Sequence, residues 1–529
     1  MKANHPRQYL FPTDAYNSLG CHRESRDSRA GYRFRLYAPQ ADEVHLAGNF
    51  HSRHSDFIPM TRGEDGIFET YTHAAREFNS YEFHISYRGG HSCRIADPFA
   101  FCRADDVSKV YCFSGYHWHD GPYRRAQARK KLIQNPINIY RLDPTLWRSE
   151  LGLRTAKELA VELLPHIQEM GYTHISLSRA ALLSFTPTAF FDAPKDLMAF
   201  VDFFHCNEIG VILEWSPIPA AEHTAYAESL STDELAAYLI SNAVYWVSEY
   251  HLDGLYLDST HLLHTEETDN LLRQLNKAVH AIRANIITMT DYGTVADALR
   301  PIAEGGLGFT LHWSTRYREN AFRFLSDPEA SFRHPDQTTA VILSLAEPSQ
   351  PCGLDPIIAR MPGRYDDRFA NLRLLLGCLT ARPGKKLNCM GFDPSPGESP
   401  TLHMQLQNWL RDLNQFYLLQ RPLWQNDNNA DSFQQVRNHD QLLVFRRIDT
   451  KGREIIAVCN FSTQLRERCR FGVPKKGCYL PLLSSDSHIY GGNDVPLQTV
   501  RTEPCSADGL PYSALFTCPP LSITFYGQE

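Results

Sequence analysis

Residues 250–258, Tyr-His-Leu-Asp-Gly-Leu-Tyr-Leu-Asp, read as the end of a helix, a turn at Asp253-Gly254 and a short apolar strand carrying Leu255 and Leu257. The strand ends on a carboxylate, Asp258. In a long chain of alternating strands and helices, a carboxylate at the C-terminal end of a buried strand is where a parallel barrel holds a catalytic group. Other spacings offer less. His261 and His264 stand at i, i+3 on an expected helix, yet no third ligand is spaced to complete a metal site, so no metal is expected. The glycine-rich stretches lack the strand–GxGxxG–helix and GxxxxGK[ST] contexts, and no local pattern suggests a Ser or Cys triad. No cofactor is expected.

The elements that must position Asp258 follow from periodicity. Residues 1–30 are polar and are expected to be irregular. Alternation begins at Gly31 (Tyr32-Arg33-Phe34-Arg35-Leu36-Tyr37, then Val44-His45-Leu46) and recurs at 66–71 and 81–87, which predicts a β-sandwich over 31–120. The basic stretch 121–135 reads as a connector or short helix. From Pro136 to about 415, strands (137–140, 173–177, 210–214, 286–289) alternate with helices (155–170, 232–250, 268–284). That alternation predicts an α/β fold, a (β/α)8 TIM barrel. Strands return at 442–445, 454–458, 479–482 and 522–526, predicting a C-terminal β-sandwich over 416–529.

The bulk properties exclude several classes. In 529 residues, 53 basic and 60 acidic side chains give a net charge of −7 without long like-charge runs, so neither nucleic acid nor a membrane surface is an expected partner. No apolar run approaches the roughly 18 residues of a membrane span, and the N-terminus has no signal-type apolar core. Thirteen cysteines without CxxC pairs suggest reduced thiols in a cytoplasmic protein.

From about Gly31 onward the chain resembles the glycogen (1,4-alpha-glucan) branching enzymes of the alpha-amylase superfamily. The carriers are Arg33-Phe34-Arg35-Leu36-Tyr37-Ala38-Pro39, Ala96-Asp97-Pro98-Phe99-Ala100 and Pro136-Ile137-Asn138-Ile139-Tyr140 with Trp147-Arg148. Others are Met170-Gly171-Tyr172-Thr173-His174, Gly305-Gly306-Leu307-Gly308-Phe309, Met361-Pro362-Gly363 and Ile489-Tyr490-Gly491-Gly492. The segment at 250–258 is similar to the nucleophile motif D-G-[FL]-R-x-D, with Asp258 at the nucleophile.

The resemblance implies retaining chemistry with two carboxyl groups about 5–5.5 Å apart. Its catalytic positions fall on Asp258 (nucleophile), Asp291 (acid/base, a glutamate in the family) and Glu347 (near the third carboxylate, with Pro348 in the aspartate's place). Its substrate-binding positions fall on Phe185 (a tyrosine in the family), Glu214 and Trp215 (aspartate-tryptophan in the family), Tyr256 (an arginine in the family), Tyr292 and, in the sandwich, Trp118. Five functional positions thus depart while the scaffold motifs remain. An aspartate at 291 is one methylene short, and a misplacement of about 1 Å can cost on the order of 10²-fold in rate.

The expected function is therefore that of a branching-enzyme-like pseudoenzyme of glycogen metabolism, binding α-1,4-glucan, glycogen or an active branching enzyme. One alternative is an active branching enzyme or related glucanotransferase using Asp258 and Asp291, with Glu347 as a displaced partner. The other is a scaffold that binds no sugar, its barrel mouth filled by Phe185, Tyr256 and Tyr292.

Overall fold

The computed structural model describes residues 12–50, 57–104, 107–147, 155–183, 185–188, 190–219, 224–259, 262–326, 340–345, 354–391, 400–425 and 432–529. The N-terminal part is two packed antiparallel sheets. Its first strand, Gly20–Arg26, pairs with Arg29–Tyr37 through a two-residue turn in which Asp27 and Ser28 both have positive φ (51° and 64°). That strand lies inside the stretch expected to be irregular. Its outward face is polar because only Gly20 and Cys21 are buried, so alternation is weak in the sequence. A helix, Gly121–Arg129, occupies the basic connector.

Eight parallel strands then close into a barrel: Asn138–Leu142, His174–Leu183, Gly210–Pro219, Gly254–Leu257, Ile287–Thr290, Leu311–Trp313, Val341–Leu343 and Lys385–Cys389. Successive side chains on a strand face opposite ways. One set (Ile139, Ile212, Tyr256, Ile287, Met289, Leu311, Trp313, Ile342, Leu387, Cys389) fills the barrel interior as its own cluster. The alternate set, including Ile175, Leu177, Leu213, Leu255 and Leu257, joins the large core beneath the helices. The expected (β/α)8 fold is present.

The helices start where the sequence supplies caps. Thr155 and Glu158 form a capping box for Ala156–Glu169, and Ser231 and Glu234 another for Thr232–Glu249. The second box also docks the N-terminal part, because Tyr37 donates its hydroxyl to Glu234 Oε1 at 2.5 Å. Beside it, Phe99, Phe185 and Tyr238 pack ring against ring across the same junction.

The last barrel helix, Pro400–Leu419, runs past the expected boundary at 415. The C-terminal part holds a six-stranded antiparallel sheet and a separate strand pair, Arg466–Val473 with Tyr512–Cys518. It sits against helix Tyr365–Ala381, where Gly377 lets Ile523 approach the helix backbone.

Eleven described cysteines form no disulfide, but Cys389, at the end of the eighth barrel strand, is disulfide-bonded, which departs from the expectation of reduced thiols throughout. Among the described residues no helix is long and apolar enough to cross a membrane, and no cluster of side chains could hold a metal ion.

Candidate active site at the barrel mouth

The inward set at the C-terminal ends of the strands carries the polar groups. Glu214, Tyr256 and Asp258 alternate with outward Leu213, Trp215, Leu255 and Leu257, and Glu214 is directly opposite Tyr256 in the ladder between the third and fourth strands. The backbone N–H of Asp258 still bonds Trp215 O at 3.1 Å, so the ladder holds to the carboxylate itself. Just past the fifth strand, Asp291 continues the inward series of Ile287 and Met289. Its Oδ1 accepts from the N–H of Ser259, the residue after Asp258, at 3.2 Å. The two expected catalytic carboxylates thus stand on adjoining strand ends.

The residue that reorganises this layer is Arg141, on the first strand. Its Nε donates to Glu214 Oε1 at 2.6 Å and its Nη2 to Glu214 Oε2 at 2.9 Å, a two-pronged pair. The side chains are only 12% and 10% exposed. Desolvation works against the Arg141 charge, but the Glu214 carboxylate beside it, with a contribution from Asp258, holds its pKa above the ordinary value. Burial pushes Glu214 up, and the guanidinium opposes that shift. The two-pronged contact is the geometry of a guanidinium–carboxylate ion pair.

Two aromatics close the layer. Tyr256 and Trp313 are each 1% exposed, their ring centroids 5.5 Å apart, and the Arg141 guanidinium carbon lies 5.5 Å from the Trp313 ring. The Tyr256 hydroxyl has no hydrogen-bond partner among the described residues. Burial raises its pKa well above that of a free phenol, and the carboxylates of Asp291 and Glu214 add to this, so it is a neutral phenol. Burial likewise raises Asp291, offset in part by the Ser259 bonds and reinforced by the Asp258 charge.

Several expected site residues lie elsewhere. Trp215 is the neighbour of an inward residue and so faces outward, its Nε1–H bonded to Asn242 Oδ1 at 2.7 Å on helix Thr232–Glu249. Tyr292, next to inward Asp291, also turns away: its hydroxyl bonds Asp269 Oδ1 at 3.0 Å and its ring packs on His264. Phe185 is fully buried among Tyr16, Phe99, Tyr238 and Tyr245 at the junction with the N-terminal sheets. Trp118 stacks on His251 at the opposite end of the barrel. Of the three aromatics expected to fill the mouth, Tyr256 alone does so. Glu347 and His261 lie outside the described residues. Arg141 had a signal in the sequence, since it continues the inward i, i+2 series of Ile137 and Ile139.

Comparison with known proteins agrees with this architecture. Residues 18–100 match the carbohydrate-binding module 48 (isoamylase N-terminal domain), and residues 434–528 match the alpha amylase C-terminal all-beta domain. The 1,4-alpha-glucan branching enzyme GlgB of Bacillus subtilis is 29% identical, over 92% of this chain and 91% of that protein. The enzyme of the same name from Halothermothrix orenii is 28% identical, over 98% of both chains. Among solved structures, a pullulanase from Bacillus acidopullulyticus superposes with a TM-score of 0.70 at 12% identity, over 98% of this chain and 76% of that one. At that identity the likeness concerns the fold alone. The chain is a homologue of the 1,4-alpha-glucan branching enzymes within the alpha-amylase superfamily.

Proposed function

We propose that this branching-enzyme homologue binds α-1,4-glucan or glycogen as a non-transferring member of α-glucan metabolism. The observation that carries the reading is the Arg141–Glu214 pair with Tyr256 and Trp313 behind it, buried in the layer from which Asp258 and Asp291 would act. A retaining reaction needs a sugar ring between its two carboxyl groups. The buried pair and the two rings occupy part of that layer, and breaking such a pair by removing one partner costs on the order of 3–5 kcal/mol, so the layer resists opening.

Glucan binding is supported by the match to a carbohydrate-binding module and by one face of that module. Phe57, 44% exposed, lies 4.5 Å from the His84 ring, in an open depression of about 800 Å³ that is also lined by His45, Ser92 and Arg94. Exposed rings beside hydrogen-bonding side chains suit the alternating apolar and hydroxyl faces of a sugar.

A second reading, an active glucanotransferase, is favoured by Asp291. Its pKa is raised by burial first and by Asp258 second, the direction a general acid requires, beside a nucleophile candidate on the neighbouring strand. An amylose assay that follows iodine-complex loss, new reducing ends and α-1,6 linkages, with Asp258→Asn as control, separates the two. Equal rates for the parent and D258N support the first reading; activity that D258N abolishes supports the second.

A further inference from the structure

At the opposite end of the barrel a second set of charges is buried. Asp120 closes the segment leading from the N-terminal sheets, just before helix Gly121–Arg129. Its Oδ2 receives His205 Nδ1 at 3.0 Å and His251 Nδ1 at 2.8 Å. His205, on the last turn of helix Pro194–Cys206, reaches Asp253 Oδ2 with its Nε2 at 2.9 Å. Asp253 immediately precedes the fourth barrel strand. It also accepts from the Tyr123 hydroxyl (3.0 Å), the Val211 N–H (3.0 Å) and Arg283 (3.2 Å).

The protonation states follow from the partners. A neutral imidazole has one N–H, and His205 sits with both nitrogens against carboxylate oxygens, so both must donate and the ring is an imidazolium. His251 differs. Its Nε2 faces the Arg124 guanidinium at 2.9 Å, a group that only donates, so that nitrogen accepts and Nδ1–H donates to Asp120.

The electrostatics agree. Burial works against the His205 charge, but Asp253 and Asp120 hold its pKa above the ordinary histidine value. Burial lowers His251, and it lowers nearby His174 to about 4, leaving both neutral. Burial also opposes ionisation of Asp120 and Asp253, yet the His205 cation beside each holds it well below the usual carboxylate range. Asp202, on the same helix as His205, is turned to His119 at 2.8 Å. The helix C-terminus further favours a cation at 205.

We propose that His205 is a proton-dependent latch clamping the connector from the N-terminal module to the floor of the barrel. Loss of the proton leaves one carboxylate facing a ring lone pair. Asp253 retains its bonds from Tyr123, Val211 and Arg283, whereas Asp120 retains His251 as its partner in the cluster; Tyr123, in the connector helix and stacked on His205 at 4.3 Å, stays tied to Asp253, so the Asp120 end of the connector is what loosens. Trp118, two residues before Asp120, stacks on His251 at 3.8 Å beside the same turn.

The sign is that of a raised histidine. The stabilisation is complete below the unfolded value of about 6.5 and is lost as pH rises through the folded value. This inference is independent of whether the barrel mouth is active.

The test is site-resolved histidine C2–H exchange by mass spectrometry across pH, with amide exchange of residues 112–130, on the full chain and on Asp120→Asn. The expected result is a His205 midpoint above about 6.5, the unperturbed value, and connector exchange that accelerates about tenfold per pH unit beyond the intrinsic rate above that midpoint. D120N is expected to lower the midpoint and flatten the connector profile. A His205 midpoint at or below the ordinary value overturns the latch. So does connector exchange that tracks the intrinsic rate alone, or a D120N profile that coincides with the parent's.

Discussion

Arg141 on the first barrel strand spans the second strand to grip Glu214 on the third, Nε to Oε1 at 2.6 Å and Nη2 to Oε2 at 2.9 Å. The cation that the family pattern places on the fourth strand, at Tyr256, is therefore present in the same layer but arrives from another strand and is committed to another carboxylate.

Removing one half of this pair leaves the other half charged and dry. Arg141→Ala is expected to destabilise the barrel by about 3–5 kcal/mol, while the double change Arg141→Met with Glu214→Met is neutral or stabilising. Thermal and denaturant unfolding of the three proteins measures the difference. An R141A protein as stable as the parent would mean that water already screens the pair.

Tyr256 holds a buried hydroxyl with no partner among the described residues. Tyr256→Phe removes that group without changing the ring, so a gain of about 1–2 kcal/mol is expected from the relieved desolvation. A loss in denaturant titration would reveal a bonded hydroxyl.

Asp291 has its pKa raised in the folded state, chiefly by burial. The folded protein then binds more protons than the unfolded chain between the two values, and stability falls as pH rises through that window. Asp291→Asn, which keeps an oxygen for the Ser259 N–H, is expected to be the more stable protein at neutral pH. The advantage should vanish as pH drops below the unfolded aspartate value, about 3.9. Paired melting curves from acid to neutral pH check it; parallel curves would refute the raised value.

Exposed Phe57 packs against the half-buried His84 ring in the carbohydrate-binding module. Phe57→Ala is expected to weaken glycogen binding roughly 3- to 10-fold, the equivalent of about 0.5–1.5 kcal/mol for an aromatic contact. Sedimentation or affinity electrophoresis reads it, with unchanged melting as the folding control. Undiminished binding would move the glucan site off this face.

Much of this arrangement is legible in the chain. Alternation places the barrel strands, and the inward parity of Glu214, Tyr256 and Asp258 follows from Leu213, Leu255 and Leu257 being apolar between them. The same parity rules out Trp215 and Tyr292, because each adjoins an inward residue; composition of a motif cannot override the two-residue period of a strand. Arg141 is harder, since a strand ending at 140 conceals that the inward series continues one step further. Phe185 and Trp118 belong to no regular element, so nothing periodic says which way they face. Their surroundings are set by a junction between parts far apart in the chain.

The burial of Arg141 also constrains any path back to chemistry. Tyr256→Arg alone would restore the family motif, and the new guanidinium would sit among the Glu214, Asp258 and Asp291 carboxylates as well as beside Arg141. An arginine there would compete with Arg141 for Glu214, so a library meant to restore chemistry has to vary positions 141, 214 and 256 together.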